Sequence, residues 1–445
     1  MRISVIGCGY LGAVHAACMA ELGHDVVGLD VDEAKIAKLS QGIAPFHEDG
    51  LPELLERHVG KNLRFTTDPT QIADAQIHFI GVGTPQRQGH IAADMRYVDA
   101  AIETILTHAE PSGDEPVLVA GKSTVPVGTA QELSERLAAS GKHIILAWNP
   151  EFLREGHAVQ DTLTPDRIVY GLPEDQAVGG QAKAMLDECY AQPLAAGTPL
   201  IVANYPTAEL VKVAANSFLA TKISFINAMA ELCDATGGDV TRLAEAIGHD
   251  DRIGAKFLQA GIGFGGGCLP KDIRAFMARA GELGVGDALG FLREVDGINL
   301  RRRDAAVELA EEAVGSRLVG KKVAVLGITF KPETDDLRDS PALDIATRLW
   351  ARGAELQIYD PAAGPELRRR RPDLTVPDTV DDAVRGADVV MLLTPWKEFL
   401  SLDPAELLQK VGSPNIVDGR NVLNPKQWSD AGWNYYGMGR GVSVW

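Results

Sequence analysis

No segment of this sequence approaches a run of about 18 apolar residues, the length a membrane-spanning helix requires. The N-terminus does not read as a secretory leader either, because the apolar run after Arg2 breaks at Gly7. Basic charge is in deficit: 43 Lys and Arg stand against 61 Asp and Glu, a net charge of −18. That argues against general binding to nucleic acid or to an anionic membrane, while leaving room for a local phosphate pocket. Cysteine is scarce. Cys8, Cys18, Cys189, Cys233 and Cys268 are scattered, odd in number and without a CxxC spacing. Such a set excludes a disulfide framework and a zinc cluster, so no metal is expected, and it fits a reducing cytoplasm. Low-complexity segments are absent, and the basic run Arg368–Arg371 reads as a solvated helix face.

What is present is a chain of 445 residues with 45% apolar content, enough for two or three domains with sizeable cores. Residues 2–7 read as a buried strand, 11–22 as a helix and 25–30 as a second strand. Further strands are expected at 76–82, 116–121 and 143–147, with helices near 94–108 and 128–139. This alternation predicts a parallel sheet covered by helices on both faces. Between Pro206 and Gly237 there is neither Pro nor Gly, which predicts one long helix spanning roughly 45 Å. More helices are expected at 239–247, 271–282 and 286–313. A second α/β pattern starts at Lys321, with strands at 322–327, 355–360, 387–393 and 415–418 and a helix over 340–350. The expected division is 1–203, 204–314 and 315–445: two doubly wound α/β domains joined by a long central helix and a helical region.

Gly7-Cys8-Gly9-Tyr10-Leu11-Gly12 is a G-x-G-x-x-G turn between a strand and a helix. Its glycines permit a tight turn and close approach of a pyrophosphate to the helix N-terminus. Asp30 ends the next strand, where a carboxylate binds a ribose 2′-hydroxyl and favours NAD over NADP. Lys35 lies one turn later, either near the adenosine ribose or simply on the surface. Thr84 and Thr124 sit in loops at strand ends, where α/β proteins bind ligands; ordinary helix capping is the alternative for each.

Glu151 and Glu155 follow another strand end four residues apart. They are either two acids facing one cavity or exposed loop carboxylates. Lys212 and Asn216 are i and i+4 on the long helix among Val and Ala. Polar groups there need partners, and a ligand oxygen or an interdomain hydrogen bond would serve. Lys331, Arg338 and Arg420 punctuate loops of the last third and suit phosphate or sugar contacts. Cys268 follows five glycines in seven residues, Gly261 to Gly267, and precedes Leu269-Pro270-Lys271-Asp272. Pro270 fits a helix first turn. A thiol at a helix N-terminus beside a lysine is set up as a nucleophile, whereas a small buried hydrophobe is the alternative.

Together the motifs GCGYLG, GVGTP, STVPVGT, NPEFLREG, KVAAN, GFGGGCLPKD, FKPETDDLRDSP and DGRN resemble the UDP-glucose/GDP-mannose dehydrogenase family over essentially the whole chain, and most closely its UDP-glucose-oxidising branch. The resemblance implies two Rossmann-like domains, the first for NAD and the last for a UDP-sugar, around a helical core that forms a homodimer. It implies oxidation of UDP-glucose to UDP-glucuronate with two NAD⁺ and one water, through a thiohemiacetal and then a thioester on Cys268. Lys212 and Asn216 would stabilise oxyanions or move a proton, and Asp272 would orient water or act as base. Glu151 would be the base for thioester hydrolysis, with Thr124 placing the water. Glu155, Lys271 and Arg338 would lie on the cofactor side. Substrate contacts would come from Glu151, Phe152, Leu153, Arg154 and Glu155. Further contacts would come from Phe257, Leu258, Gln259, Ala260, Gly261 and Gly265, and from Phe330, Lys331 and Arg420. Arg252 would reach across the dimer. Gly267 departs from the serine common before the family cysteine.

Three alternatives stay open: a sibling enzyme for GDP-mannose or a UDP-N-acetylhexosamine; a two-electron hydroxy-acid dehydrogenase with a structural Cys268; and a silent NAD-binding scaffold.

Overall fold

Short aliphatic runs bounded by Gly, Asp or Asn form the strands, and Ala- and Leu-rich runs between them form the helices. The computed structural model describes residues 1–111 and 115–441. Residues Met1–Ala215 with Arg274–Gly284 make one unit, and Asn216–Ile273 with the chain from Val285 onward make a second.

In the first unit the strands are β1 (Arg2–Ile6), β2 (Asp25–Leu29), β3 (Leu63–Thr66), β4 (Ile77–Ile80), β5 (Val117–Gly121), β6 (Ile144–Trp148), β7 (Ile168–Leu172) and β8 (Leu200–Asn204). They form one sheet in the order β3-β2-β1-β4-β5-β6-β7-β8. Neighbours run parallel except β6 and β7, which meet antiparallel through Trp148 and Gly171. Both faces are covered. Ile3, Val5, Val26, Ile77 and Phe79 pack on one side, and Ile6, Val27, Leu29, Ile80 and Val119 on the other. That is why these strands read as continuous apolar runs rather than alternating ones.

In the second unit β9 (Lys322–Leu326), β10 (Glu355–Tyr359), β11 (Val389–Leu392), β12 (Asn415–Asp418) and β13 (Asn434–Gly437) form a parallel sheet ordered β10-β9-β11-β12-β13. Its two faces are likewise buried, Val323, Val325 and Met391 on one side and Ala324, Leu326 and Val390 on the other. The helix Pro341–Ala351 starts where Ser340 accepts the Leu343 N–H at 3.2 Å, as its Ser-Pro start predicts.

The long helix runs Tyr205–Thr236, 32 residues, or about 48 Å at 1.5 Å per residue. Its part through Ala215 belongs to the first unit and the rest to the second. The helix Leu269–Glu282 begins immediately after Cys268. Among the described residues no helix is long and apolar enough to cross a membrane.

Candidate active site

In the turn after β1, Gly7 and Gly12 cannot be replaced for steric reasons. Gly7 has φ 91°, and a Cβ on Gly12 would stand 1.7 Å from the Gly7 carbonyl oxygen. A Cβ on Gly9 would meet nothing within 4 Å, so space is open at the start of the helix Tyr10–Glu21. No side chain caps that helix, which leaves the first-turn N–H groups of Tyr10, Leu11 and Gly12 for a ligand. Asp30, at the end of β2, accepts the Cys8 N–H at 2.7 Å and the Lys35 ammonium at 3.0 Å. Lys35 is therefore neither idle nor free on the surface; it holds Asp30. Turn, open space and carboxylate together fit the pyrophosphate and ribose diol of NAD, and the acid repels a 2′-phosphate.

The second unit has the same strand–turn–acid frame, with Gly327 at φ 86° and Asp360 accepting the Ile328 N–H at 2.8 Å. There the acid is buried and also bonded by the Ala362 and Ala363 N–H groups and the Trp396 indole. It is sealed rather than offered to a ribose.

The loops after β4 and β5 are clipped together. Thr84 Oγ1 donates to the Thr124 carbonyl at 2.7 Å, and Ser123 Oγ to the Val82 carbonyl at 2.6 Å. The following helices start at Arg96 and Thr129 after Met95 and Gly128, so neither threonine caps a helix. Glu209 does the capping from the long helix, accepting the Gly128 and Ala130 N–H groups at 2.7 Å. Its burial pushes its carboxyl up.

Lys122, directly after β5, lies against Asn149 at the start of the acid loop, the segment with Glu151 and Glu155 that follows β6. Its ammonium donates to Asn149 Oδ1 at 2.9 Å and the Asn149 carbonyl at 3.4 Å, and contacts the Tyr190 hydroxyl at 3.2 Å. Burial pushes the Lys122 ammonium down to about 8. Glu151 Oε1 meets the Lys212 ammonium at 2.9 Å, with the side chains 13% and 6% exposed. Its Oε2 accepts the Leu153 N–H at 2.6 Å. The Arg167 guanidinium stacks on Phe152 at 3.7 Å from the ring centre. Arg154 pairs with Asp161 at 2.6 Å. The two loop acids take different surroundings: Glu151 is held by Lys212, while Glu155 lies near Tyr10, whose phenol is pushed up chiefly by burial and by Glu48.

In the second unit Cys268 is exposed, whereas Cys8, Cys18, Cys189 and Cys233 are buried. Burial of Cys189 pushes its thiol up to about 12. The Cys268 carbonyl accepts the Asp272 N–H at 2.9 Å, which places the thiol at the start of the helix as the Pro270 pattern predicts. Asp272 is 1% exposed. Its carboxylate accepts Asn216 Nδ2 at 2.6 Å and the Lys271 ammonium at 2.6 Å. Lys271 thus serves the aspartate.

The glycines before Cys268 allow close approach of neighbouring backbone and side chains. A Cβ on Gly261 would lie 2.6 Å from the Gly419 carbonyl oxygen, and one on Gly265 2.2 Å from that of Asp339. On Gly266 it would strike the Phe330 ring at 2.8 Å, and on Gly267 the Arg338 guanidinium at 2.6 Å. The loop is then pinned by polar side chains. Asn299 brackets Phe264, accepting its N–H at 2.7 Å and donating to its carbonyl at 3.0 Å. Asn227 accepts the Gly261 N–H at 2.9 Å, and Arg302 donates to the Gly261 carbonyl at 3.2 Å.

Arg420, expected at a phosphate, donates to the carbonyls of Leu393, Gly263 and Phe330 at 2.8, 2.9 and 3.2 Å. Burial pushes its guanidinium down to about 10. It is a clamp on the cysteine loop, because a partly buried guanidinium must satisfy its donors locally. Arg252 pairs with Asp250 on an exposed turn, Arg338 pairs with Asp336 and the Lys331 ammonium lies over Phe330. Phe257 adopts a left-handed φ of 66° ahead of buried Leu258 and Ala260, with Gln259 exposed between them.

Three family models match in sequence. They are the NAD binding domain of the UDP-glucose/GDP-mannose dehydrogenase family over residues 1–193, its central domain over 206–301 and its UDP binding domain over 324–425. The chain belongs to the UDP-glucose/GDP-mannose dehydrogenase family. UDP-glucose 6-dehydrogenase of Rhizobium meliloti is 39% identical to it, covering 99% of this chain and 100% of that protein. The solved UDP-glucose dehydrogenase of Pyrobaculum islandicum has a TM-score of 0.87 at 38% identity, over 98% of this chain and 97% of that one. A UDP-D-ManNAc dehydrogenase from Pyrococcus horikoshii has a TM-score of 0.85 at 28% identity, with 100% of both chains covered.

As in the family's NAD binding domain, the cofactor of this dehydrogenase is NAD, and the Gly7–Gly12 turn with Asp30 has a geometry that suits it. Sequence reasoning missed the residues that hold the dehydrogenase's loops: Lys122, Glu209, Asn227, Asn299 and Arg302. For Glu209 and Asn227 the signal was available, as isolated polar residues in an apolar helix, whereas Lys122 lies in a loop and Asn299 and Arg302 lie in or beside a basic run that reads as a solvated face. Their partners, the Asn149 and Tyr190 side chains for Lys122 and backbone groups for the others, come from distant segments, which no spacing rule reports.

Proposed function

We propose that this chain oxidises UDP-glucose to UDP-glucuronate with two NAD⁺ and one water, through a thioester on Cys268. The observation that carries the reading is an exposed thiol at a helix start, one turn from an Asp272 bound to Asn216 and Lys271, in a chain of this family. NAD⁺, which the Gly7–Gly12 turn and Asp30 would hold, would supply the hydride acceptor for both oxidations. In the first oxidation the primary alcohol loses a hydride and a proton and becomes an aldehyde. The Cys268 thiolate adds to that aldehyde and its oxygen takes a proton, giving a thiohemiacetal. Loss of the second hydride and a proton leaves a thioester. Water adds to the thioester, the C–S bond breaks, and carboxylate and thiol are released.

Glu151, paired with Lys212, is the base for the water, and Thr124 places it. Lys212 and Asn216 stabilise the oxyanions; Asp272 holds Asn216 and takes part in proton transfer. Glu155, Lys271 and Arg338 act on the cofactor side. Residues 151–155, 257–261, Gly265, Phe330 and Lys331 take the UDP-sugar, and Arg420 acts on it through the loop it clamps. The domain division is 1–203 for NAD, 204–314 for dimerisation and 315–445 for UDP.

The homodimer reading draws on the long helix, which exposes Phe218, Phe225 and Leu232 at seven-residue intervals, 66%, 49% and 56% exposed. Such a stripe suits a helix–helix interface, with Arg252 contributing across it. Free thiols and nucleotide substrates suit the cytoplasm. The likeness to a UDP-D-ManNAc dehydrogenase keeps UDP-N-acetylhexosamines as a second reading. Parallel turnover of UDP-glucose, UDP-N-acetylmannosamine and GDP-mannose separates them. Fastest NADH formation with UDP-glucose supports the proposal, and faster oxidation of either other sugar overturns it.

A further inference from the structure

The acid loop after β6 is held by a residue that lies outside every motif of the sequence. Glu48 sits between the helices Glu33–Ser40 and Leu51–His58 and is 3% exposed. Its Oε1 accepts the Ala158 N–H at 2.6 Å and the Val159 N–H at 3.3 Å. Its Oε2 accepts the Gly156 N–H at 2.7 Å and the hydroxyl of Tyr10. The Gly156 N–H also reaches the Tyr10 oxygen at 2.9 Å. A buried carboxylate is tolerated only when its lone pairs are filled, and here the donors come from two functional segments at once.

Tyr10 is the first residue of the helix that follows Gly9, inside the dinucleotide turn. Its ring packs on Phe46 with centroids 4.8 Å apart. Burial and the neighbouring Glu48 push its phenol up, so the hydroxyl stays a donor. Gly156 has φ 80°, a left-handed turn at the end of the loop that carries Glu151. One carboxylate therefore bonds the cofactor turn and the acid loop together.

We propose that Glu48 is a positioning residue that locks the dinucleotide turn to the Glu151-bearing loop, so that NAD binding and the setting of that loop are coupled through the Tyr10 hydroxyl. The inference rests on the NAD-binding reading of the first unit and is independent of which sugar is oxidised. A purely architectural Glu48 would change melting temperature without linking the two segments.

The test uses the full chain without sugar nucleotide. NADH affinity is read by fluorescence titration, and amide hydrogen exchange is followed over residues 154–163 with and without NADH. In the parent, NADH slows exchange in that segment. In Tyr10→Phe and in Glu48→Gln the NADH Kd rises by about threefold or more, as expected for a lost hydrogen bond, and the slowing is lost. The double variant matches the weaker-binding single variant within about twofold, since both changes break one tie. Tyr10→Phe binding NADH like the parent with the slowing intact overturns the proposal, and so do effects that multiply in the double variant. Should Glu48→Gln fail to fold, Tyr10→Phe decides alone, because it removes a single hydroxyl. If NADH leaves exchange over 154–163 unchanged in the parent, while the parent gives a normal NADH yield per sugar in a separate turnover assay, the coupling is refuted and the oxidation mechanism stands.

Discussion

Replacing Lys122 by methionine removes a buried ammonium from beneath the acid loop at nearly constant volume. The side chain of Lys122 lies against Asn149, Tyr190 and the rings of Phe79 and Tyr190. Unfolded, this ammonium keeps its proton up to its ordinary value of 10.5; folded, burial lowers that value to about 8. Between those two values the unfolded chain holds the extra proton, so stability rises with pH across that window. As pH falls through 8 the folded state must carry the buried charge and that gain is gone. The full window of 2.5 units, 10.5 less 8, corresponds to about 3 kcal/mol at 1.36 kcal/mol per unit. From pH 7 to 9.5 the part realised is about 2 kcal/mol. The parent is therefore expected to gain about 2 kcal/mol relative to Lys122→Met over that range, because the other titrating groups are common to both. Urea unfolding of the first unit's transition at the two pH values measures it, and the difference between proteins cancels most departures from two-state behaviour. A stability difference between parent and variant that stays constant from pH 7 to 9.5 refutes the reasoning.

Native protein is expected to take up one iodoacetamide, at Cys268, since the other four thiols are buried; peptide mass spectrometry showing native labelling at Cys8 or Cys189 contradicts this. Lys212→Met strands Glu151 in a site where both side chains are largely buried, at a cost of about 3 kcal/mol. Lys212→Met/Glu151→Gln recovers most of it, and a double variant as unstable as the sum of the singles denies the pair. Phe225→Asp puts a charge in the exposed apolar stripe of the long helix and shifts the protein to monomer in light scattering; an unchanged mass places the interface elsewhere.

The central strands were legible because burial on both faces leaves an apolar run with a sharp end, as at Ile77–Ile80 and Val117–Gly121. The strands not expected were β3, β7, β8 and β13, which lie toward the sheet edges. β3 alternates buried and exposed residues over only four positions, and β8 leaves Ile201 and Val202 exposed, 40% and 48%. Edge strands carry little burial and so little pattern; β7 lies one strand in and is buried throughout, so this reason does not cover it. Short-range site features were legible too: the Gly7–Gly12 turn with Asp30, and Cys268 at its helix start. Lys212 and Asn216 were legible as polar residues needing partners, but the partners Glu151 and Asp272 lie 61 and 56 residues away in sequence. The carbonyl partners of Arg420 were hidden for the same reason. A loop arginine signals a phosphate as readily as a set of carbonyls, and only the packed loop shows the carbonyls.

The most direct measurement of the central claim is the NADH yield from a limiting amount of UDP-glucose, with the product identified by mass. The account predicts two NADH per UDP-glucose and free UDP-glucuronate, with Cys268→Ala unable to complete the sequence. One NADH per sugar nucleotide, or full yield at the parent's rate from Cys268→Ala, contradicts it.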